Sequence, residues 1–217
     1  MPNIDEEAKA FETGRAGWFG NAVGWRRKAL GLTAAELSRK TAELGFPVTR
    51  GTIAKIESNL RSGKIDVAEV LVLAAALDVP PVLLLFPQVA SDGGSSVLPN
   101  VFTTDAESVR WVSGETSTPR VYDMAAGRLD GEPSPPNDGV ELIASIAFLH
   151  QALDTRSSLV HHLRTVEHDP AELHTAQQML DRNADQIAAI RNRIRTAQES
   201  LWGMSRTGIM SEEDNDE

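Results

Sequence analysis

Cysteine is absent from the 217 residues, which excludes disulfides, thiol catalysis and thiolate metal sites and leaves packing alone to hold any fold together. Long apolar runs are absent as well. The longest, Val67 to Leu77 and Val79 to Phe86, are too short to span a bilayer, and the acidic start at Asp5, Glu6 and Glu7 is unlike the basic region of a signal peptide. A cytoplasmic protein with no membrane partner is expected. No HExxH pair, glycine-rich phosphate loop or dinucleotide fingerprint occurs. The histidines His150, His161, His162, His168 and His174 cluster in sequence, yet their spacing matches no metal-ligand set, so they read as solvent-exposed helix residues. The expectation is therefore a non-enzyme with no catalytic residue, no metal and no cofactor.

Charge of one sign is scarce only locally. The chain carries -10 overall, but residues 15–65 hold ten basic side chains (Arg15, Arg26, Arg27, Lys28, Arg39, Lys40, Arg50, Lys55, Arg61, Lys64) against Glu36, Glu43 and Glu57. That stretch is +7 and the remainder -17. A basic module inside an acidic chain is the footprint of a head that contacts nucleic acid.

At 217 residues with 41% hydrophobic content, the chain can build modest cores in more than one part. Residues 1–14 are expected to be flexible, 15–87 to form a compact helical head, 88–137 to be linker and a poorly defined middle, 138–203 to be a helical hairpin or coiled coil, and 204–217 a disordered acidic tail. The stretches at 91–96 (SDGGSS) and 127–139 (GRLDGEPSPPNDG) resist helix and strand alike and mark the divisions. In the head, Trp18, Ala22, Trp25 and Ala29, beside Phe19, Val23 and Leu30, form the stripe of a first helix that Gly31 stops. Thr33 with Glu36 makes a capping box for a second helix whose inner residues are Leu37, Thr41 and Leu44. Gly45, Phe46 and Pro47 break it. Thr49 caps a third, with Ile53, Ile56 and Leu60 on one face. Asp66 and Glu69 open a fourth through Val67, Val70, Leu71, Ala74 and Leu77, and Val79-Pro80-Pro81 leads into a short fifth turn reaching Phe86. The fold class expected is all-α.

The third helix carries the chemistry. Opposite its apolar face it presents Gly51, Ala54, Lys55 and Ser58, with Arg50 at the entry. Small side chains there let a helix backbone approach base edges in the major groove, while arginine reaches both acceptors of a guanine and lysine reaches phosphate or guanine. Helix N-termini attract phosphate through unpaired N–H groups. Thr33, Thr49, Arg50, Gly51, Thr52, Lys55, Ser58 and Arg61 are thus the candidate DNA contacts, with the two threonines at helix starts, Thr33 and Thr49, equally readable as plain caps.

The run GLTAAELSRKTAELGFPVTRGTIAKIES followed by AEVLVLAAALDVPPVLLL resembles the Cro and lambda-repressor-type, or xenobiotic-response-element, helix-turn-helix family. It is carried by Gly31, Leu32, Thr33, Glu36, Leu37, Thr52, Ile53, Lys55, Ile56, Glu57, Leu73, Ala74, Leu77 and Val79. The resemblance implies a five-helix lambda-repressor-like domain, a recognition helix at Thr49–Asn59, a structural pair between Arg27 and Glu57, and a DNA-binding transcriptional regulator, in the main a repressor, located on the nucleoid. Ala34 stands where many members have a phosphate-contacting glutamine. The longer link through Ala42 to Phe46 resembles an actinobacterial subgroup, as does the run at Arg110, Trp111, Gly114 and Glu115, near a short helix expected at 106–114. Some repressors of the family carry a self-cleaving peptidase domain with a serine-lysine dyad acting on an Ala-Gly bond. Ala126-Gly127 offers such a bond, but no lysine follows Lys64, so the dyad cannot form.

From Asp138 the helical period returns, with a stripe through Val140, Ile143, Ala147, Leu149, Leu153, Leu163 and Val166. His168-Asp169-Pro170 is a break and a new start. Leu173, Ala176, Leu180, Ala184, Ile187, Ile190, Ile194, Ala197 and Leu201 then form a narrow seam. Its partner is the preceding helix, a second copy of the chain, or both; a homodimer through Leu173, Leu180, Ile187, Ile194 and Leu201 suits a regulator that reads double-stranded DNA two-fold. The alternative is an antitoxin-like or adaptor protein whose C-terminal helices bind an unrelated protein while the head tethers it to DNA.

Overall fold

A computed structural model describes residues 4–61, 63–89, 94–166 and 168–203. The chain divides into two compact units, Met1–Ser113 with Thr118–Pro133, and Gly114–Ser117 with Ser134–Glu217. It is predominantly helical, and the expected acidic tail lies outside the described residues.

The first unit begins with α1, Ile4–Ala29. Residues 4–14 of the lead expected to be flexible are therefore the first turns of this helix, and residues 1–3 lie outside the described residues. Its inner face also differs from the expected stripe: Ala16, Phe19, Ala22 and Val23 are buried, whereas Trp25 and Leu30 are 53% and 39% exposed. Four helices follow, α2 (Ala34–Glu43), α3 (Arg50–Glu57), α4 (Val67–Ala76) and α5 (Pro81–Leu85). Their starts are chemically explicit. Thr33 accepts from the Glu36 N–H and donates its own N–H to the Glu36 carboxylate at 2.7 Å; Thr49 accepts from Thr52 N–H, and Asp66 from Ala68 and Glu69 N–H. Each satisfies donors that a helix start leaves unpaired.

Leu37, Ile53, Leu73, Leu77, Leu84 and Val23 are essentially inaccessible and form one core with Phe19, Val48, Ile56 and Val70. Leu44, Leu60, Val67 and Leu71, expected inside, are exposed. Leu60 turns out because Asn59, at φ 53°, has already ended the helix in the left-handed conformation that asparagine tolerates. Val67 stands at the first position of α4, before the helix has turned toward the core.

The middle segment is built rather than loose. β1 (Gly94–Leu98) pairs antiparallel with β2 (Val101–Thr104), so residues 94–96 are strand and not linker. Thr104 caps α6 (Asp105–Val112), and a second hairpin joins β3 (Tyr122–Asp123) to β4 (Arg128–Leu129). The chain is all-α in class, with two small antiparallel pairs beside its helices. Polar burial explains why no apolar run announced them: Ser95 Oγ donates to the buried Asp105 carboxylate at 2.7 Å. The Arg120 guanidinium grips buried Glu107 through Nε at 3.1 Å and Nη2 at 3.2 Å, with Arg110 at 3.4 Å. Burial disfavours the Glu107 anion, but hydrogen bonds from Arg120 outweigh it and hold the carboxyl below its ordinary range.

The second unit is an antiparallel helical hairpin of α7 (Asp138–Thr165) and α8 (Pro170–Trp202). Asn137 and Asp169 cap the two helices, with Pro170 at the first position of α8. Ala152, Ile187 and Ile190 form the centre, flanked by Leu149 and Ile194. The inner row of α8 includes Asn183, buried, where Ala184 was expected; Ala184 is exposed. Asn183 Nδ2 donates to the Ala152 carbonyl at 3.0 Å. On α7 the expected Ile143, Ala147 and Leu153 face solvent, while Ser145 and Ala152 are buried in their place.

Candidate nucleic-acid interface

α3 is held at its base by packing and at both ends by polar contacts. Ile53 and Ile56 sit at 0% and 5% exposure, fixing which side of α3 turns outward. Arg50, Gly51, Ala54 and Lys55 are exposed together on that outer side. A side chain added at Gly51 would meet only the Thr49 hydroxyl, at 3.8 Å, so the face is open at the helix entry.

The approach to α3 is anchored by Thr41. Its buried hydroxyl accepts the Val48 N–H at 2.9 Å and donates to the Ser38 carbonyl at 2.8 Å, and the Val48 side chain enters the core. The long α2–α3 link, with Gly45 at φ 87°, is therefore closed by one hydroxyl and one valine. Sequence reasoning assigned Thr41 to the inner face but missed Val48, whose signal was a lone β-branched residue after the proline.

Behind the helix, α1 comes very close. A Cβ at Gly20 would lie 2.1 Å from the Ile56 carbonyl oxygen, so only glycine allows this crossing. At the end of α3, Asn59 Nδ2 donates to the Thr13 carbonyl at 3.1 Å. Arg27 donates from Nε and Nη2 to the two carboxylate oxygens of Glu57 at 2.6 and 2.7 Å, and from Nη1 to the Leu32 carbonyl at 2.7 Å. The bond to Glu57 raises the guanidinium pKa further. The structure thus brings together the two residues that the family resemblance paired.

The remaining candidate contacts separate into two groups. Thr33 and Thr49 act as caps; Thr49 Oγ1 also lies 3.0 Å from Thr52 Oγ1, and the Thr33 hydroxyl donates to Glu36 at 2.7 Å. The Thr33 backbone N–H, and then its hydroxyl, hold the Glu36 carboxyl below its ordinary value. Ser58 is the C-cap rather than part of the helix, and its hydroxyl donates to the Ala54 carbonyl at 2.6 Å. Arg61 is ion-paired with Glu69 of α4, which engages its guanidinium within the head. Arg26 is likewise structural, donating to the Leu77 and Asp78 carbonyls at 3.0 and 3.1 Å at the end of α4. Among the described residues, exposed cations near α3 include Arg50, Lys55, Lys64, Lys40 and Arg39, the last paired with Glu43 at 3.3 Å.

Of the expected oligomerisation residues, Ile187 is buried and Leu173, Leu180 and Ile194 are half-buried in the α7–α8 hairpin, while Leu201 is 38% exposed. The seam is therefore occupied within one chain. The five histidines are exposed, and no described helix is long and apolar enough to cross a membrane.

No curated protein and no solved structure gives a match to this chain. Residues 23–84, from the second half of α1 into α5, match the protein family described as Helix-turn-helix, and this supports a DNA-binding regulator of the Cro and lambda-repressor-like kind.

Proposed function

We infer that this chain is a sequence-specific regulator of transcription that reads double-stranded DNA in the major groove with α3. The observation that carries the reading is the outer face of α3, where Arg50, Gly51, Ala54 and Lys55 stand exposed opposite the buried Ile53 and Ile56. Arg50 is assigned to a base edge, Lys55 to phosphate, and Gly51, Thr52 and Ser58 to the close-approach surface. The N-termini of α2 and α3 at Thr33 and Thr49 present backbone N–H groups to phosphate. Repression is the assigned effect because it needs only occupancy of a promoter.

A homodimer is part of this proposal, and it makes the second head's contact effectively intramolecular. Since α7 occupies the α8 seam, the contact is assigned to the apolar side chains left exposed on the hairpin, among them Ile146, Leu153 and Val160 at 40%, 37% and 37%.

Selection of bound fragments from random DNA with the full chain tests the proposal. The expected product is an inverted repeat with half-site centres about 34 Å apart or a multiple of that. Arg50→Ala should relax the preference at one position, costing about 1–3 kcal/mol there, while Lys55→Ala weakens all sequences alike. Failure to enrich any motif, or equal losses from both variants on every sequence, overturns the reading.

A further inference from the structure

Between the N-terminal half of α1 and the β1–β2 hairpin lies a cavity of about 500 Å³, lined by Phe11, Gly14, Arg15, Trp18, Ser96 and Phe102 among others. Its size falls within the range of small-molecule sites, roughly 300–1,000 Å³. Three aromatic rings around one cavity, Phe11 and Trp18 from α1 and Phe102 from β2, are unusual for a chain in which aromatics are only 5% of residues. None of these side chains touches the proposed DNA face.

Arg15 is the second unusual feature. Its guanidinium lies 4.3 Å from the Phe86 ring centroid, 5.0 Å from Trp18 and 5.8 Å from Phe11. Nη1 donates to the Leu85 carbonyl at 3.2 Å, but Nη2 is buried with no hydrogen-bond partner among the described residues. Cation–π contact offsets part of the cost of burying a charge, but it leaves the N–H donors unmet. Burial pulls the Arg15 pKa down and the nearby Asp105 only partly restores it. Asp105 is itself committed to Ser95 Oγ at 2.7 Å and to the Gln88 N–H at 3.1 Å. The other charged lining residue, Glu7, is exposed, where solvent screens it.

We propose that this cavity binds a small aromatic carboxylate, its ring against Phe11, Trp18 and Phe102 and its carboxylate toward Arg15 and Ser96. The aromatic rings supply apolar area and offset stacking, and Arg15, the cation among the described lining residues, supplies the charge that favours a carboxylate over a neutral group. The site rests on the head's own geometry and is independent of what the head binds.

The test is titration calorimetry of the full chain with 2-naphthoate and with its neutral counterpart 2-naphthalenemethanol. Saturable binding of 2-naphthoate is expected, with the alcohol at least about tenfold weaker. Gly14→Leu is the obstructing variant: Gly14 lines the cavity, nothing lies within 4 Å of a Cβ placed there, and leucine favours a helix interior more than glycine does, so the variant folds while its side chain takes up part of the cavity. It should weaken 2-naphthoate by at least about tenfold. Arg15→Met should weaken 2-naphthoate by at least about tenfold and leave the alcohol unchanged; if that variant does not fold, Gly14→Leu decides. Absence of saturable 2-naphthoate binding, or undiminished binding by Gly14→Leu, overturns the site. Equal affinity for acid and alcohol overturns the assignment of Arg15.

Discussion

Arg27 holds Glu57 by two parallel hydrogen bonds, at 2.6 and 2.7 Å, with the two side chains only 13% and 18% exposed. The pair ties the end of α3 to α1 beside Gly24, where a Cβ would lie in ordinary contact with the Glu57 side chain at 3.5–3.6 Å. Lysine cannot reproduce the fork.

Removing either partner leaves the other charge half-buried and unmet. Arg27→Ala and Glu57→Ala should each destabilise the head by on the order of 2–3 kcal/mol, and Arg27→Lys should recover only part of that loss. The double variant should cost clearly less than the sum of the singles, because the penalty of the orphaned charge disappears. Urea unfolding of the four variants checks this, and additive losses would show that the two residues act separately.

Glu107 makes a prediction about acid. Its folded-state carboxyl is held below the ordinary range because hydrogen bonds from Arg120 outweigh its burial, so the unfolded chain binds the proton more readily. The stability this contributes is fully present above the unfolded value of about 4.3 and is lost as pH falls through the lower folded value. Glu107→Gln should therefore lower the unfolding temperature near neutral pH, with a gap from the parent that narrows on acidification below about pH 4. A gap independent of pH would remove the ionised pair from the account of the middle segment.

Most of the helix starts in the head and the C-terminal hairpin were legible because caps are local chemistry. Thr33 with Glu36, Thr49, Asp66 and Asp169-Pro170 each mark a helix start with side chains that bond within three residues, and no tertiary knowledge is needed to read them. The inward stripes were less legible, since pattern reading counts every apolar residue as core. Trp25, Leu60, Val67 and Leu71 are exposed because helix ends and the α1–α3 crossing, set by Gly20, decide which face turns in. The exposure of Arg50 and Lys55 followed from the α3 pattern, whereas the ion pair of Arg61 did not, because its partner Glu69 stands across a loop and on another helix. The β1–β2 hairpin and the Arg15 cavity were hidden altogether. Their residues meet only in three dimensions, through Asp105, Phe86 and Phe102, and carry no periodic signal.

Asn183 is where a polar residue took a seam position that the apolar pattern skipped. Its Nδ2 bonds the Ala152 carbonyl at 3.0 Å, but its Oδ1 is buried with no partner among the described residues. An unmet buried acceptor costs about 1–3 kcal/mol, and a single polar seam residue also restricts register and association state. Asn183→Leu should accordingly raise the stability of the α7–α8 hairpin by roughly 1–2 kcal/mol. It should also widen the range of pairings open to α8, because the substituted side chain would join Leu180 and Ile187 in an uninterrupted apolar row, with no polar group left to penalise a shifted or intermolecular pairing. Thermal unfolding and light scattering of the full chain read the two effects separately. A stabilised variant with the parent's association state would make Asn183 a cost without a register role, and a destabilised one would show that its bond to Ala152 outweighs the unmet oxygen.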